Sequence, residues 1–236
     1  MNSSTDIIRG VSKRYGDTDV LVDINIEIKP REFVSIIGQN ASGKSTLLKI
    51  IAGIVPATSG TVNATSIGYM PQDHSLLPWR TVEGNLLLPT DIRGASGQPA
   101  CKRIHKLLSE FGLQQYAQLY PASLSGGTRQ KIALLRTVLQ DHSLLLLDEP
   151  FAPLDALSRI EARQWLLMLL EKTETSTLFV THDIREAILL SDRIYALRKG
   201  KIVDMIPVLL PKPRRHEQLS SPEALALEKK LFTLLV

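Results

Sequence analysis

Apolar residues at Val20, Val22, Ile24, Ile26 and Ile28 alternate with polar ones, and the stretch from Ile7 to Ile37 reads as strands joined by the polar turn Gly16-Asp17-Thr18-Asp19. Phe33-Val34-Ser35-Ile36-Ile37 is a short apolar run entering a Gly-containing loop, and a helical stretch follows from Lys44 to about Ala52, stopped by Gly53. Thr61-Val62 and Ile67-Gly68-Tyr69-Met70 add short strands. From about Asp73 to Gln140 the strand signal fades. Helical patterns separated by Pro78, Pro89, the Gly94–Pro99 loop and Pro121 replace it, which predicts a helical insertion. Beyond it come the buried strand Leu144–Leu147, a helix from about Leu157 to Lys172, a strand at Thr177–Val180, a helix over Ile184–Leu190, and strands at Ile194–Leu197 and Lys201–Met205. Such alternation implies an α/β fold, a largely parallel sheet with helices on its faces. Ser221-Pro222-Glu223 marks the start of a last helix, with Ser as cap, Pro in the first turn, and Ala224, Leu227, Leu231 and Leu234 on one face.

With 236 residues, 44% of them hydrophobic and 22% charged, the chain supports one substantial core and is neither disordered nor fibrous. Its longest apolar runs, Leu144–Leu147 and Leu166–Leu170, fall far short of the ~20 residues that span a bilayer. Asp6 and Arg9 interrupt the stretch where a secretory signal would stand, and the single cysteine, Cys101, forms no internal disulfide; a reducing, cytosolic setting is expected. The net charge is +4. Only Lys212-Pro213-Arg214-Arg215-His216 is densely basic, and it lacks interleaved aromatics, so it reads as a solvated tail, or second as a membrane-apposed face, with no nucleic-acid partner.

The chemistry begins at Gly38-Gln39-Asn40-Ala41-Ser42-Gly43-Lys44-Ser45-Thr46, which satisfies G-x-x-x-x-G-K-[ST] after an apolar strand and before a helix. Glycines let the backbone curl so that successive N–H groups face one concavity, and the helix start adds positive charge for a triphosphate. Lys44 is expected on the β- and γ-phosphates, Ser45 on Mg²⁺ and Thr46 on an α-phosphate oxygen. Leu144-Leu145-Leu146-Leu147-Asp148-Glu149 is a mid-sheet strand ending in two acids. Asp148 is expected to hold Mg²⁺, through water, and Glu149 to polarise the attacking water. In Leu124-Ser125-Gly126-Gly127-Thr128-Arg129-Gln130, Ser125 reads as a helix cap followed by two glycines, a second anion-binding helix end.

LSGG followed by Gln130 resembles the signature of the ATP-binding cassette family. The resemblance extends from about Ile7 to Met205 and implies a P-loop NTPase (RecA-like) core with an antiparallel β subdomain and an inserted α-helical subdomain at about 73–140, followed by a C-terminal extension at 209–236. It implies ATP and Mg²⁺ as cofactors, with residues 38 and 40–46, Ser125, Gly126, Gly127 and Gln130 against nucleotide. Tyr15 matches the aromatic that stacks on adenine; its plainer reading is an ordinary strand aromatic. Gln72 matches the glutamine that senses Mg²⁺ and nucleotide, Asp155 the loop after the metal strand, and His182 the switch histidine at the γ-phosphate. The segment Ser75–Asn85 and the tail Leu209–Arg215 look like those of nitrate, sulfonate, taurine and pyrimidine-precursor importers.

That group implies a separate ATPase subunit, paired head to tail as a homodimer beneath a membrane permease at the cytoplasmic face, served indirectly by an external binding protein. A chain ending at Val236 is expected to carry no appended regulatory domain. An exporter or lipid-transport ATPase is the alternative; a soluble relative acting on DNA or ribosomes would need tandem cassettes, and a small-molecule kinase would not need LSGG. Leu76, Leu77 and Trp79 are expected on the surface that docks a permease helix, or else packed in the insertion.

Overall fold

Strands β1 (Asp6–Tyr15), β2 (Thr18–Ile28) and β4 (Ser59–Asn63) form an antiparallel sheet in the order β2-β1-β4. A second sheet runs β5-β6-β7-β3-β8-β9, built from β3 (Phe33–Ile37), β5 (Ile67–Met70), β6 (Leu144–Asp148), β7 (Ser176–Thr181), β8 (Arg193–Arg198) and β9 (Lys201–Pro207). Its strands are parallel except β9, which pairs antiparallel with β8 and ends the sheet. This computed structural model describes residues 6–64, 66–73, 76–95, 97–139, 142–171, 173 and 175–236; Ser75, Gln140 and Lys172, where three expected segments begin or end, lie outside them.

β3, β6 and β7 are buried along their whole length, which is why none of them alternates regularly between apolar and polar residues. The pleat then sorts their side chains. Val34 and Ile36, Leu144 and Leu146, and Tyr195 and Leu197 face one core with helix α1 (Lys44–Ile51) and the inward residues of the three-stranded sheet. Ile37, Ile194 and Ala196 face the opposite core, closed by α6 (Ile184–Leu190) and α7 (Pro222–Leu235). Ser221 caps α7 as its sequence predicts, accepting from the Ala224 amide at 3.2 Å.

These elements form one compact unit, residues 6–72, 142–150 and 170–236; a second holds 73–139 and 151–169. The second contains α2 (Val82–Ile92), α3 (Gln98–Glu110), α4 (Gly126–Val138) and most of α5 (Ala156–Glu171). Two prolines expected as separators belong to helices instead. Pro89 lies within α2, a helix held by the Thr81 cap and by buried Val82 and Leu86, and Pro99 sits in the first turn of α3, where a missing N–H leaves no helical bond unmade.

The basic run is not a solvated tail throughout. Arg214 is buried, and its guanidinium donates to the carbonyls of Leu210 at 3.2 Å, Val208 at 3.0 Å and Ser191 at 2.5 Å. Burial lowers its pKa, partly offset by Asp192. Val208 and Leu210 belong to the segment leaving β9, which pairs with no strand among the described residues, so the arginine replaces a ladder that the sequence pattern could not show.

Candidate functional site

The loop after β3 turns into α1 through two left-handed residues, Ala41 at φ 61° and Gly43 at φ 102°. A Cβ at Gly38 would stand 2.5 Å from the Leu197 carbonyl and 2.6 Å from Ser42 Oγ, and one at Gly43 would stand 2.7 Å from Leu21 Cδ2. Both positions therefore demand glycine for reasons visible in packing. Inside this cradle Lys44 is buried and its ammonium folds back, donating to the carbonyls of Gly38 and Gln39 at 2.9 Å each. Burial lowers the Lys44 pKa, and Glu149, whose Oε1 stands 3.5 Å from Nζ, opposes that shift. Ser42 Oγ is buried without a hydrogen-bond partner among the described residues. A buried hydroxyl, a buried lysine and the amides of a helix start together suit an anion with several oxygen acceptors.

β6 delivers the acids to the same edge. Asp148 Oδ1 accepts from Ser45 Oγ at 3.0 Å, and Tyr69 OH stands 3.5 Å from Oδ2. Burial raises the Asp148 pKa, Ser45 opposes it, and Glu149 adds to the rise. Tyr69 is pushed up to about 12, by burial first and then by Asp148. Glu149 leaves the strand in the left-handed region, at φ 44°, while its amide still donates to the Val180 carbonyl at 2.9 Å. That kink turns its carboxylate toward His182 at the end of β7, whose Nδ1 lies 2.9 Å from Glu149 Oε2. Lys44, Ser45, Asp148, Glu149 and His182 thus form one connected cluster, 138 positions of sequence folded to a single sheet edge between Lys44 and His182.

Tyr15 ends β1 half exposed, with Lys13 Nζ 4.7 Å above its ring, and Gln72 is exposed just after β5. Thr46 lies partly buried in the first turn of α1, and Asn40 is exposed. In the second unit Ser125 caps α4, accepting from the Thr128 amide at 3.2 Å, as its sequence predicts. A Cβ at Gly126 or Gly127 would make only ordinary contacts, the nearest to Leu154 and Ser158 at 3.9 and 3.8 Å. Nothing among the described residues requires glycine there. Asp155 caps α5, accepting from the amides of Leu157 and Ser158 at 3.1 and 3.0 Å; the Ser158 side chain first, and then these amides, hold its carboxyl below the usual range. Gln130 is fully buried, and neither of its side-chain amide atoms has a hydrogen-bond partner among the described residues. Trp79 is 71% exposed, beside half-buried Leu76 and Leu77.

Sequence reasoning missed two residues. Tyr69, inside an ordinary strand pattern, gave no signal of its approach to Asp148. Gln39 passed as a variable position of the loop, yet its side-chain amide donates to the Leu235 carbonyl at 2.9 Å.

A phosphate-binding loop at the carboxyl edge of a parallel sheet, with a serine and an aspartate poised beside it, defines a nucleotide-binding α/β protein of the phosphate-loop class. Residues 21–152 match the ABC transporter family, and the chain belongs to it, as an ATP-binding ATPase cassette. It is 39% identical over 96% of its length to the aliphatic sulfonates import ATP-binding protein SsuB 1 of Pseudomonas fluorescens, covering 85% of that protein. It is 38% identical to SsuB 3 of Nocardia farcinica, over 97% of this chain and 90% of that one. Among solved structures it resembles the dimeric bacterial ABC transporter cassette MJ0796, at 29% identity and a TM-score of 0.77 over 87% of this chain and all of that one. It also resembles an ATP-binding subunit of an ABC transporter, at 26% identity and a TM-score of 0.78 over 97% of this chain and all of that one.

Proposed function

We propose that this cassette is the ATP-hydrolysing subunit of an importer, working as a head-to-tail homodimer on a membrane permease at the cytoplasmic face, with an aliphatic sulfonate or similar small anion as the imported solute. The cluster joining Lys44, Ser45, Asp148, Glu149 and His182 carries the reading of hydrolysis. The relatives' names carry the reading of import over the exporter alternative, and of the solute class. No helix among the described residues is long and apolar enough to cross a membrane, which accords with a separate permease reached through exposed Trp79.

Lys44 leaves the Gly38 and Gln39 carbonyls to meet the β- and γ-phosphates, Ser42 donates its spare hydroxyl, and Thr46 reaches an α-phosphate oxygen. Among the described residues no three His, Cys, Asp or Glu side chains gather as a metal site, so Ser45 and Asp148 would hold Mg²⁺ with phosphate and water supplying the remaining oxygens. When bound, Mg²⁺ supplies charge compensation on the phosphates. Glu149 is the general base. His182, whose Nδ1 lies 2.9 Å from Oε2, would fix the carboxylate's direction by donating to it and leave Nε2 for the γ-phosphate. Gln72 serves as the metal-sensing residue and Tyr15 as the adenine stack.

The α4 start, with two glycines that packing among the described residues does not demand, is suited to closing over the γ-phosphate of a second copy. Its partner face includes Ser125, Gly126, Gly127 and Asp155. The dimeric cassettes among the structural relatives support this pairing. Phosphate release from ATP by the purified chain, alone and with its permease in vesicles, tests the reading. Hydrolysis stimulated by solute-loaded binding protein is expected; absence of nucleotide binding would overturn it.

A further inference from the structure

Gln39 is held at both of its ends. Its carbonyl receives the Lys44 ammonium at 2.9 Å and the Ser42 amide at 3.2 Å, so it fixes the resting pose of the lysine and the turn of the loop. Its side chain points the other way, donating Nε2–H to the Leu235 carbonyl at the end of α7, 2.9 Å away and 196 positions later in sequence. A carbonyl in the last turn of a helix has no acceptor role left within the helix, so an outside donor is what it needs. Arg198 makes the neighbouring tie, donating to the Val236 carbonyl at 3.0 Å. Ile37, the last strand residue before the loop, packs in the same apolar cluster as Leu231 and Leu235 of α7. The end of α7 and the base of the phosphate loop therefore share one polar tie and one apolar contact.

We infer that Gln39 is a positioning residue that ties the phosphate loop to α7, so that nucleotide affinity depends on α7 being docked and nucleotide in turn tightens α7. The inference rests on the reading that residues 38–46 hold nucleotide phosphates. When phosphates draw Lys44 away from the Gln39 carbonyl, the Ser42 amide and the Leu235 carbonyl remain to hold residue 39 in place. A helix end that moves off loses the Leu235 acceptor and frees residue 39 to swing. The coupling is reciprocal by thermodynamic necessity: the factor by which a docked α7 improves nucleotide binding equals the factor by which nucleotide suppresses α7 opening.

The test measures both sides of that equality on the full chain. Amide hydrogen exchange of residues 231–235 is followed with and without saturating ADP, and ADP affinity is measured by calorimetry, for the native chain, Gln39→Ala and Gln39→Glu. In the native chain ADP is expected to slow exchange in the last turn of α7 by about fivefold, the worth of one net hydrogen bond. Gln39→Ala is expected to weaken ADP by the same factor and to abolish the protection, with a melting temperature lowered by no more than a few degrees. Gln39→Glu, equal in shape but without a donor, is expected to lose the coupling as well, which separates the hydrogen bond from mere bulk. Unchanged α7 exchange on adding ADP to a native chain that binds it, or full protection surviving in Gln39→Ala, would overturn the inference while leaving the functional reading intact. A native chain that binds no ADP would overturn both.

Discussion

Replacing Asp148 with Asn is expected to move activity and stability in opposite directions. The side chains are equal in shape, and the Asn oxygen still accepts from Ser45 Oγ, now 3.0 Å from Oδ1. What disappears is a buried negative charge on a residue only 1% exposed. Burial raises the Asp148 pKa, so the ionised form opposes folding in the absence of metal. A carboxyl whose native pKa lies above its unfolded one binds its proton more tightly when folded; its cost is complete above the native value and shrinks as pH falls through it toward 3.8. The substituted amide carries no such cost, so the variant should melt a few degrees above the native chain at neutral pH without Mg²⁺, at roughly 2–4 °C per kcal/mol for a chain of this size. That gap should close as pH drops through the window. Hydrolysis should fall about a thousandfold, or about 4 kcal/mol, because the metal loses its anionic protein partner. Phosphate release in Mg²⁺ and scanning fluorimetry with and without Mg²⁺-ADP measure the two effects. Turnover within about fivefold of the native chain would refute the metal assignment, and a melting point lowered by several degrees would refute the burial argument.

Glu149→Gln should bind ATP with near-native affinity, lose at least about a hundredfold in turnover, and accumulate dimer in light scattering when ATP is added; a monomer at saturating ATP would count against pairing by the isolated subunit. Arg214→Ala strips three carbonyls of their donor and should cost about 3 kcal/mol, seen as a melting point lowered by several degrees, whereas a shift under about 2 °C would mean that water replaces the guanidinium at no loss. Trp79→Ala should leave stability within about 0.5 kcal/mol, since the ring is exposed, yet prevent co-purification with the permease; undiminished co-purification would remove Trp79 from the docking surface.

The elements that carry chemistry were legible because their residues are constrained locally. A strand buried on both faces must be apolar throughout, so Leu144–Leu147 announced both its place inside the sheet and the edge where Asp148 emerges. The Ser125 and Ser221 caps were visible because a helix start needs an oxygen acceptor three residues before a free amide. Contacts made across long separations left no such trace. The Arg214 side chain satisfies carbonyls as far back as Ser191, and Gln39 meets Leu235, with nothing in either neighbourhood to advertise the partner. Gln130, which the motif match sets against nucleotide, is buried in α4.

The left-handed backbone at Glu149 sets a conflict for anyone selecting sturdier versions of this protein. A side-chain-bearing residue at φ 44° carries strain of order 1 kcal/mol, which Gly relieves and Asn reduces. Neither keeps the carboxylate that His182 orients. Laboratory evolution screened on heat resistance alone would therefore drift toward substitutions at position 149 and, on the proposed role of Glu149 as general base, yield robust proteins that capture ATP and never release it as product. In a cell such a variant would be dominant over the native copy, since each dimer it entered would hold one site that never turns over.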